Sequence, residues 1–284
     1  MTSPTFAKRD DSAARRQLVT VPLLRRQSIG VDYHVLTFEI PAGAEARPGQ
    51  FLMIRGADWG DAPLLARPMS YLEGGSQPSL LLRSVGEGTR RMARAVPGEC
   101  FQLVGPLGTG WRAPQPGRTP LLVAGGVGVA PLLFLARSLA AEGIRAVAAY
   151  GARSERDLPL AEELGKVADL HVVTEDGSRG TRGLVTSVLE ALLGPNTEVF
   201  TCGPEPMMAR VAELCAARAL PCAASLETPM ACGFGVCLGC AVPTTDGKYL
   251  YACCEGPCVD AHRIAWHQTA RAVRASTSGR SEAS

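Results

Sequence analysis

The chain has 284 residues, 46% of them hydrophobic and 5% aromatic, with a formal net charge of +2. That length accommodates two domains and a small module with real cores. A near-neutral balance with no Lys/Arg block among aromatics argues against nucleic-acid binding, and the longest apolar run, residues 120–135, is too glycine-broken to span a bilayer.

Residues 1–17 and 268–284 are polar and unpatterned and are expected to be flexible tails. No apolar stretch follows Lys8, Arg9, Asp10 and Asp11, so no secretion signal is expected and the chain should be soluble and cytoplasmic. Ten cysteines could suggest secreted disulfides, but most crowd near the carboxy terminus, and a reducing compartment fits better.

Between residues 18 and 116, short apolar segments at 18–24, 33–40, 51–55, 80–85 and 100–104 are separated by Gly and Pro. This describes an antiparallel barrel or sandwich. Arg67-Pro-Met-Ser70 places a guanidinium and a hydroxyl around a proline-stiffened extended segment, and Gly86-Glu-Gly-Thr89 precedes an expected helix at 90–96. A helix N-terminus behind small residues binds anions, and Arg67 could clamp the same phosphate bidentately. A simple turn with a threonine cap and a solvated arginine are the plainer readings of the same residues.

From residue 117 to 227 the pattern becomes alternating strand and helix. Strands are expected at 120–124, 146–150, 170–174, 198–202 and 222–226, and helices from 131 to 142 and at 159–167, 184–193 and 205–219. The alternation means a parallel sheet covered by helices, with its ligand beyond the carboxyl ends of the strands. At two such ends stand Gly125, Gly126 and Gly128, and Cys202-Gly203-Pro204. The glycines let a diphosphate approach helix amides, although their spacing is not G-x-G-x-x-G, and tight helix-sheet packing explains them equally. A buried cysteine before a helix is the plain reading of Cys202.

In residues 228–267, Cys232, Cys237 and Cys240 follow C-x4-C-x2-C, the spacing of a plant-type [2Fe-2S] site. Interleaved glycines allow the backbone to curl around such a cluster. Structural zinc is the alternative, but zinc ribbons usually pair two C-x2-C knuckles and only one is present. A hairpin over 241–252, turning at 245–248, would bring Cys253 back to the loop; continued strand geometry would turn Cys254 to the opposite face. Cys253, Cys254 and Cys258 all remain candidates for fourth ligand. Cys100, Cys215 and Cys222 read as buried small hydrophobes. His34, His171, His262 and His267 read as surface or packing residues, and no acid–base pair suggests a catalytic side chain.

These motifs, with Gly105-Pro-Leu-Gly108 and Thr174-Glu-Asp-Gly-Ser178 between them, occur in an order that resembles the ferredoxin-NADP reductase superfamily over residues 18–228. With Met-Ala-Cys-Gly-x-Gly-x-Cys-Leu-Gly-Cys at 230–240 and Cys-x-Glu-Gly-Pro at 253–257, the chain resembles the PyrK family, the electron-transfer subunits of class 1B dihydroorotate dehydrogenases. The resemblance implies an FAD-binding barrel (18–116), an NAD-binding α/β domain (117–227) and a [2Fe-2S] module (228–267). It implies that Arg67, Gly88 and Thr89 hold the FAD phosphates, with Pro68, Met69, Ser70, Leu81, Leu82 and Arg83 at the flavin. NAD is implied at Gly125, Gly126, Gly128, Cys202, Gly203 and Pro204, and cluster ligation by Cys232, Cys237, Cys240 and Cys253. Met69 departs from the superfamily, which carries an aromatic after the arginine. The implied partner is an FMN-containing dihydroorotate dehydrogenase catalytic subunit, in a heterotetramer that reduces NAD+ during pyrimidine synthesis. The alternative is a related NAD(P)H-linked reductase subunit serving a sulfide dehydrogenase or hydrogenase. Arg153, Ser154 and Arg156 leave NAD against NADP open.

Overall fold

The computed structural model describes residues 16–43 and 45–266. Most of each expected tail, and His267, lie outside the described residues.

Six antiparallel strands close a barrel: β1 Gln17–Ser28, β2 Tyr33–Phe38, β3 Phe51–Gly56, β4 Arg67–Glu73, β5 Ser79–Arg83 and β6 Cys100–Leu107, in spatial order β1-β2-β5-β4-β3-β6. Along β1, buried Val21 and Leu23 alternate with exposed neighbours, the period of a strand with one wet face. Phe38 and Trp59 both meet Phe101 edge-on, with ring centroids 5.6 and 6.2 Å apart. The proline-stiffened segment at 67–70 is the start of β4, whose pairing with β3 sets Ile54 opposite Arg67 and Phe51 opposite Ser70. Helix α1, Glu87–Arg94, begins earlier than expected, so Gly88 and Thr89 lie in its first turn and not before it. The Thr89 hydroxyl explains the early start: it accepts from the Val85 and Gly86 amides at 3.0 and 2.9 Å, satisfying donors at the helix entrance.

The second layer is a sheet of β7 Thr119–Gly125, β8 Ala146–Ala152, β9 Ala168–Thr174, β10 Thr181–Arg182, β11 Thr197–Cys202 and β12 Cys222–Ser225, all parallel, in the order β10-β9-β8-β7-β11-β12. Helices α2 Val129–Ala141, α3 Ala161–Val167, α4 Leu189–Leu192 and α5 Glu205–Ala216 connect it. α2 is apolar nearly all round because it is covered on both sides: Leu132, Leu133 and Leu135 pack in the sheet's core, and Phe134 packs in the barrel's. The helix expected at 184–193 is reduced to a 3₁₀ turn and the four-residue α4. Val185, Thr186 and Val188 are β-branched, which weakens the helix, and Gly194-Pro195 ends it. α5 stops at Ala216, before the expected 219, and Ala219 then takes a left-handed φ of 51°.

The carboxy-terminal segment forms a hairpin, β13 Ala241–Pro243 with β14 Tyr249–Tyr251, and ends in β15 Cys258–Asp260. β15 pairs antiparallel with β12 and so extends the parallel sheet at its edge. The module is also tied to the barrel, because the Thr109 amide donates to the Gly256 carbonyl. Arg112, in the connection from barrel to sheet, pairs with the fully buried Glu198 on β11 at 2.7 Å. Cys215 and Cys222 are buried as expected, but Cys100 is only partly so, because it opens β6 at the barrel rim. No described helix is long and apolar enough to cross a membrane.

Candidate cofactor cleft and cysteine loop

A cleft of about 580 Å³ opens where barrel, sheet and carboxy-terminal module meet. Pro68, Met69 and Ser70 of β4, Leu81, Leu82 and Arg83 of β5, and Thr89 of α1 form the barrel side. Gly128 and Cys202 form the sheet side, beyond the carboxyl ends of β7 and β11, where the topology places ligands. Arg67, Gly88, Gly125, Gly126, Gly203 and Pro204 stand outside this wall.

Arg67 lies across the start of α1. A Cβ at Gly88 would come within 2.2 Å of the Arg67 Nε, so the glycine leaves room for the guanidinium to reach the helix N-terminus. Arg67 also donates to the Leu65 carbonyl and stacks over Trp59 at 5.4 Å. Burial, then the like charges of Arg55 and Arg91, push its pKa below the usual arginine value. This is a positive site short of counter-charge beside a helix N-terminus, the setting that suits a diphosphate. Arg83 makes an ion pair with Asp157 at 3.4 Å, joining barrel to sheet domain.

On the sheet side the glycines serve close packing. A Cβ at Gly128 would fall 2.3 Å from the Cys202 carbonyl oxygen, and one at Gly125 would fall 2.7 Å from Pro204, so the ends of β7 and β11 are pressed together. Arg153 and Arg156 are exposed, while the Ser154 hydroxyl donates to Asp157 at 3.0 Å.

Residues 226–230 also line the cleft, and sequence reasoning missed them. Their signal was topological: they follow the carboxyl end of β12, the same sheet edge as the other ligand-side loops. Glu227 faces the cleft and its carboxyl pKa is raised by burial. The hydroxyl of Thr228 is buried with no hydrogen-bond partner among the described residues, an orphaned polar atom in the wall of a site sized for a ligand.

Two residues after Met230 begins the cysteine loop. Its backbone takes left-handed φ values of 82° at Gly233 and 91° at Gly235, which side chains rarely adopt. Gly233 packs so closely on β3 that a Cβ would meet the Met53 side chain at 2.5 Å. The Cys232 sulfur accepts from the Phe234 and Cys237 amides at 3.5 Å each. Burial opposes its ionisation, but the amides of Cys237, Phe234 and Val236 outweigh it and bring the thiol down to about 6. Amides curled around sulfur are what an anionic cluster needs. Buried Cys240 and Cys253 bring their sulfurs within 3.0 Å, and exposed Cys237 stands at the loop tip. No three His, Cys, Asp or Glu side chains among the described residues close around a single ion site.

Cys254 lies beside this group and Cys258 does not. Strand geometry, which would have turned Cys254 to the opposite face, does not continue that far: β14 ends at Tyr251 and residues 252–255 form a turn. Cys254 is left 3.7 Å from Cys253, sulfur to sulfur. The Cys258 thiol donates to the Gly49 carbonyl at 3.5 Å, on the side of β15 that packs with the sheet core. Of the described histidines, His34 is buried against the Ser28 hydroxyl at 3.1 Å and His262 contacts the Leu220 carbonyl at 3.0 Å.

Two family models match the chain: the iron-sulfur cluster binding domain of dihydroorotate dehydrogenase B over residues 227–265, and the oxidoreductase NAD-binding domain over 122–213. A dihydroorotate dehydrogenase B (NAD(+)) electron transfer subunit from Caldanaerobacter subterraneus subsp. tengcongensis is 36% identical, over 83% of this chain and 93% of its own. The protein of the same name from Bacillus caldolyticus is 38% identical, over 74% and 84%. Among solved structures, a chain of the NADH-dependent reduced ferredoxin-NADP oxidoreductase superposes with a TM-score of 0.79 at 27% identity, covering 88% of this chain and 91% of that one. A ferredoxin reductase of carbazole 1,9a-dioxygenase, at 21% identity and TM-score 0.64, shares the fold over 72% and 66%. Barrel, parallel sheet and cysteine loop in this order, with the covering matches to named relatives, place the chain in the family of dihydroorotate dehydrogenase B (NAD(+)) electron transfer subunits.

Proposed function

We propose that this chain passes electrons from a dihydroorotate dehydrogenase catalytic subunit to NAD+, receiving them at the cysteine loop and delivering them at the cleft. The observation that carries this reading is the continuity of the two sites: residues 226–230 line the cleft, and the loop starts at Cys232, two residues on. Bound flavin converts between the single electrons of an iron-sulfur cluster and the hydride of a nicotinamide.

The chain's own residues bind and orient. Arg67, with Gly88 and Thr89 at the start of α1, would hold the FAD diphosphate. Pro68, Met69, Ser70, Leu81, Leu82 and Arg83, which line the cleft, would orient the isoalloxazine and exclude water from it. Gly125, Gly126, Gly128, Cys202, Gly203 and Pro204 shape the sheet edge where NAD lies. Cys232, Cys237, Cys240 and Cys253 ligate the [2Fe-2S] cluster. The corresponding units are an FAD barrel at 18–116, an NAD domain at 117–227 and a cluster module at 228–267.

The partner is an FMN-containing catalytic subunit, and the assembly is a heterotetramer. Exposed Phe234, Val236 and Leu238 beside the exposed Cys237 support docking at the loop, because an apolar rim on a cluster needs covering. Ten free cysteines suit the reducing cytoplasm. The likeness to the NADH-dependent reduced ferredoxin-NADP oxidoreductase favours a second reading, a reductase module with another electron partner.

The test mixes the flavin- and iron-loaded protein with the candidate catalytic subunit from the same cell and follows NAD+ reduction by dihydroorotate. Turnover that needs both proteins is expected. NADH bleaching of the flavin without dihydroorotate-dependent turnover would favour the second reading.

A further inference from the structure

The turn at residues 252–255 is held by the Cys254 and Glu255 amides, which both donate to the Tyr251 carbonyl at 2.9 Å, and by the Tyr251 amide, which donates to Glu255 Oε1 at 2.9 Å. It brings two consecutive thiols together. Cys254 Sγ lies 3.7 Å from Cys253 Sγ, and a Cβ at Gly235 would come within 2.5 Å of that same Cys254 sulfur. Half-buried Cys254 is therefore wedged between Cys253 and the middle of the stretch that joins Cys232 to Cys237. Cys253, by contrast, faces Cys240 at 3.0 Å in the buried interior.

We propose that Cys254 is a positioning residue that donates an S–H hydrogen bond to the Cys253 sulfur and thereby raises the reduction potential of the cluster. The proposal rests on Cys253 being the fourth ligand. Between two protonated thiols at this distance either sulfur could donate. A metal-bound cysteine is a thiolate and has no proton to give, so the donor must be Cys254. Reduction adds negative charge to the cluster and its ligating sulfurs, and a donor aimed at one of them stabilises the reduced state more than the oxidised one. Gly235 is part of the device, since any side chain there would displace the Cys254 sulfur.

The test is an EPR-monitored potentiometric titration of the full chain carrying flavin and cluster, as wild type, Cys254→Ala and Cys254→Ser, with iron and acid-labile sulfide assayed in each. All three are expected to hold the same iron. At the potential where the wild-type cluster is half reduced, the reduced-to-oxidised ratio in Cys254→Ala should fall about threefold, the weight of one modest hydrogen bond. Cys254→Ser should recover toward wild type, because its hydroxyl donates in place of the thiol. An unchanged ratio in Cys254→Ala would overturn the proposal. Loss of iron from Cys254→Ala would overturn it too, by making Cys254 a ligand. Cys253→Ser checks the underlying assignment separately. Loss of the cluster there upholds Cys253 as ligand whatever Cys254 does, whereas a full cluster lost only in the double variant would move the ligand role to Cys254.

Discussion

The cleft and the cysteine loop adjoin each other in the chain and are built by opposite means. The cleft takes its walls from β4, β5 and the ends of β7 and β11, elements with apolar cores behind them, so that Leu81 and Leu82 are almost wholly buried. From residue 231 to 238 the loop has no regular secondary structure, and it exposes Phe234, Val236 and Leu238. A shape made by packing persists without its ligand, whereas a shape made of turns draws its stability from what it binds. The two sites should therefore fail independently.

The largest expected effect is on the loop. In Cys237→Ser, iron and sulfide should fall to background while flavin content stays at the wild-type level; joint loss of both cofactors would show that the cleft depends on the loop. Next comes the scaffold. Arg112→Ala removes the cation from the fully buried Glu198 carboxylate and leaves it the Gln115 amide at 2.7 Å; because Arg112 is itself half-exposed, the cost is that of one charged hydrogen bond to a buried acceptor, toward the upper end of roughly 1.5–3 kcal/mol. Its denaturation midpoint should drop accordingly, with the iron spectrum of the folded fraction unchanged. A smaller effect is expected at the cleft, where Arg67→Ala should weaken FAD binding by about tenfold to a hundredfold, the loss of a charged hydrogen bond worth roughly 1.5–3 kcal/mol. Equilibrium dialysis reads this directly, and an unchanged affinity would remove Arg67 from the diphosphate site. The smallest is Gly235→Ala, which forces a side chain into a left-handed conformation at a cost of about 1–2 kcal/mol and presses on the Cys254 sulfur. It should speed iron loss to a chelator and leave flavin affinity alone.

Much of the architecture was legible because it rests on periodicity. Strands β7 and β8 were visible as mostly apolar runs, since a strand covered on both faces needs no polar side. β4 was less so, because Arg67, Pro68 and Ser70 disguise a strand whose pairing is set by β3 and β5. Cys100 looked like a core residue and sits at the rim, since exposure depends on where a strand enters the barrel and not on its composition.

By itself the sequence determined the fold class, the order of the units and the cysteine spacing, because hydrophobic period, turn residues and metal-ligand spacing are local properties of the chain. Tertiary structure decided what depends on two distant segments meeting. It put residues 226–230 into the wall of the cleft and made β15 the edge strand of the sheet. It carried Cys258 to the Gly49 carbonyl and ended β14 at Tyr251, so that the turn after it leaves Cys254 against both Cys253 and Gly235. Those outcomes follow from where the chain returns in space, and no local pattern of residues encodes the direction of that return.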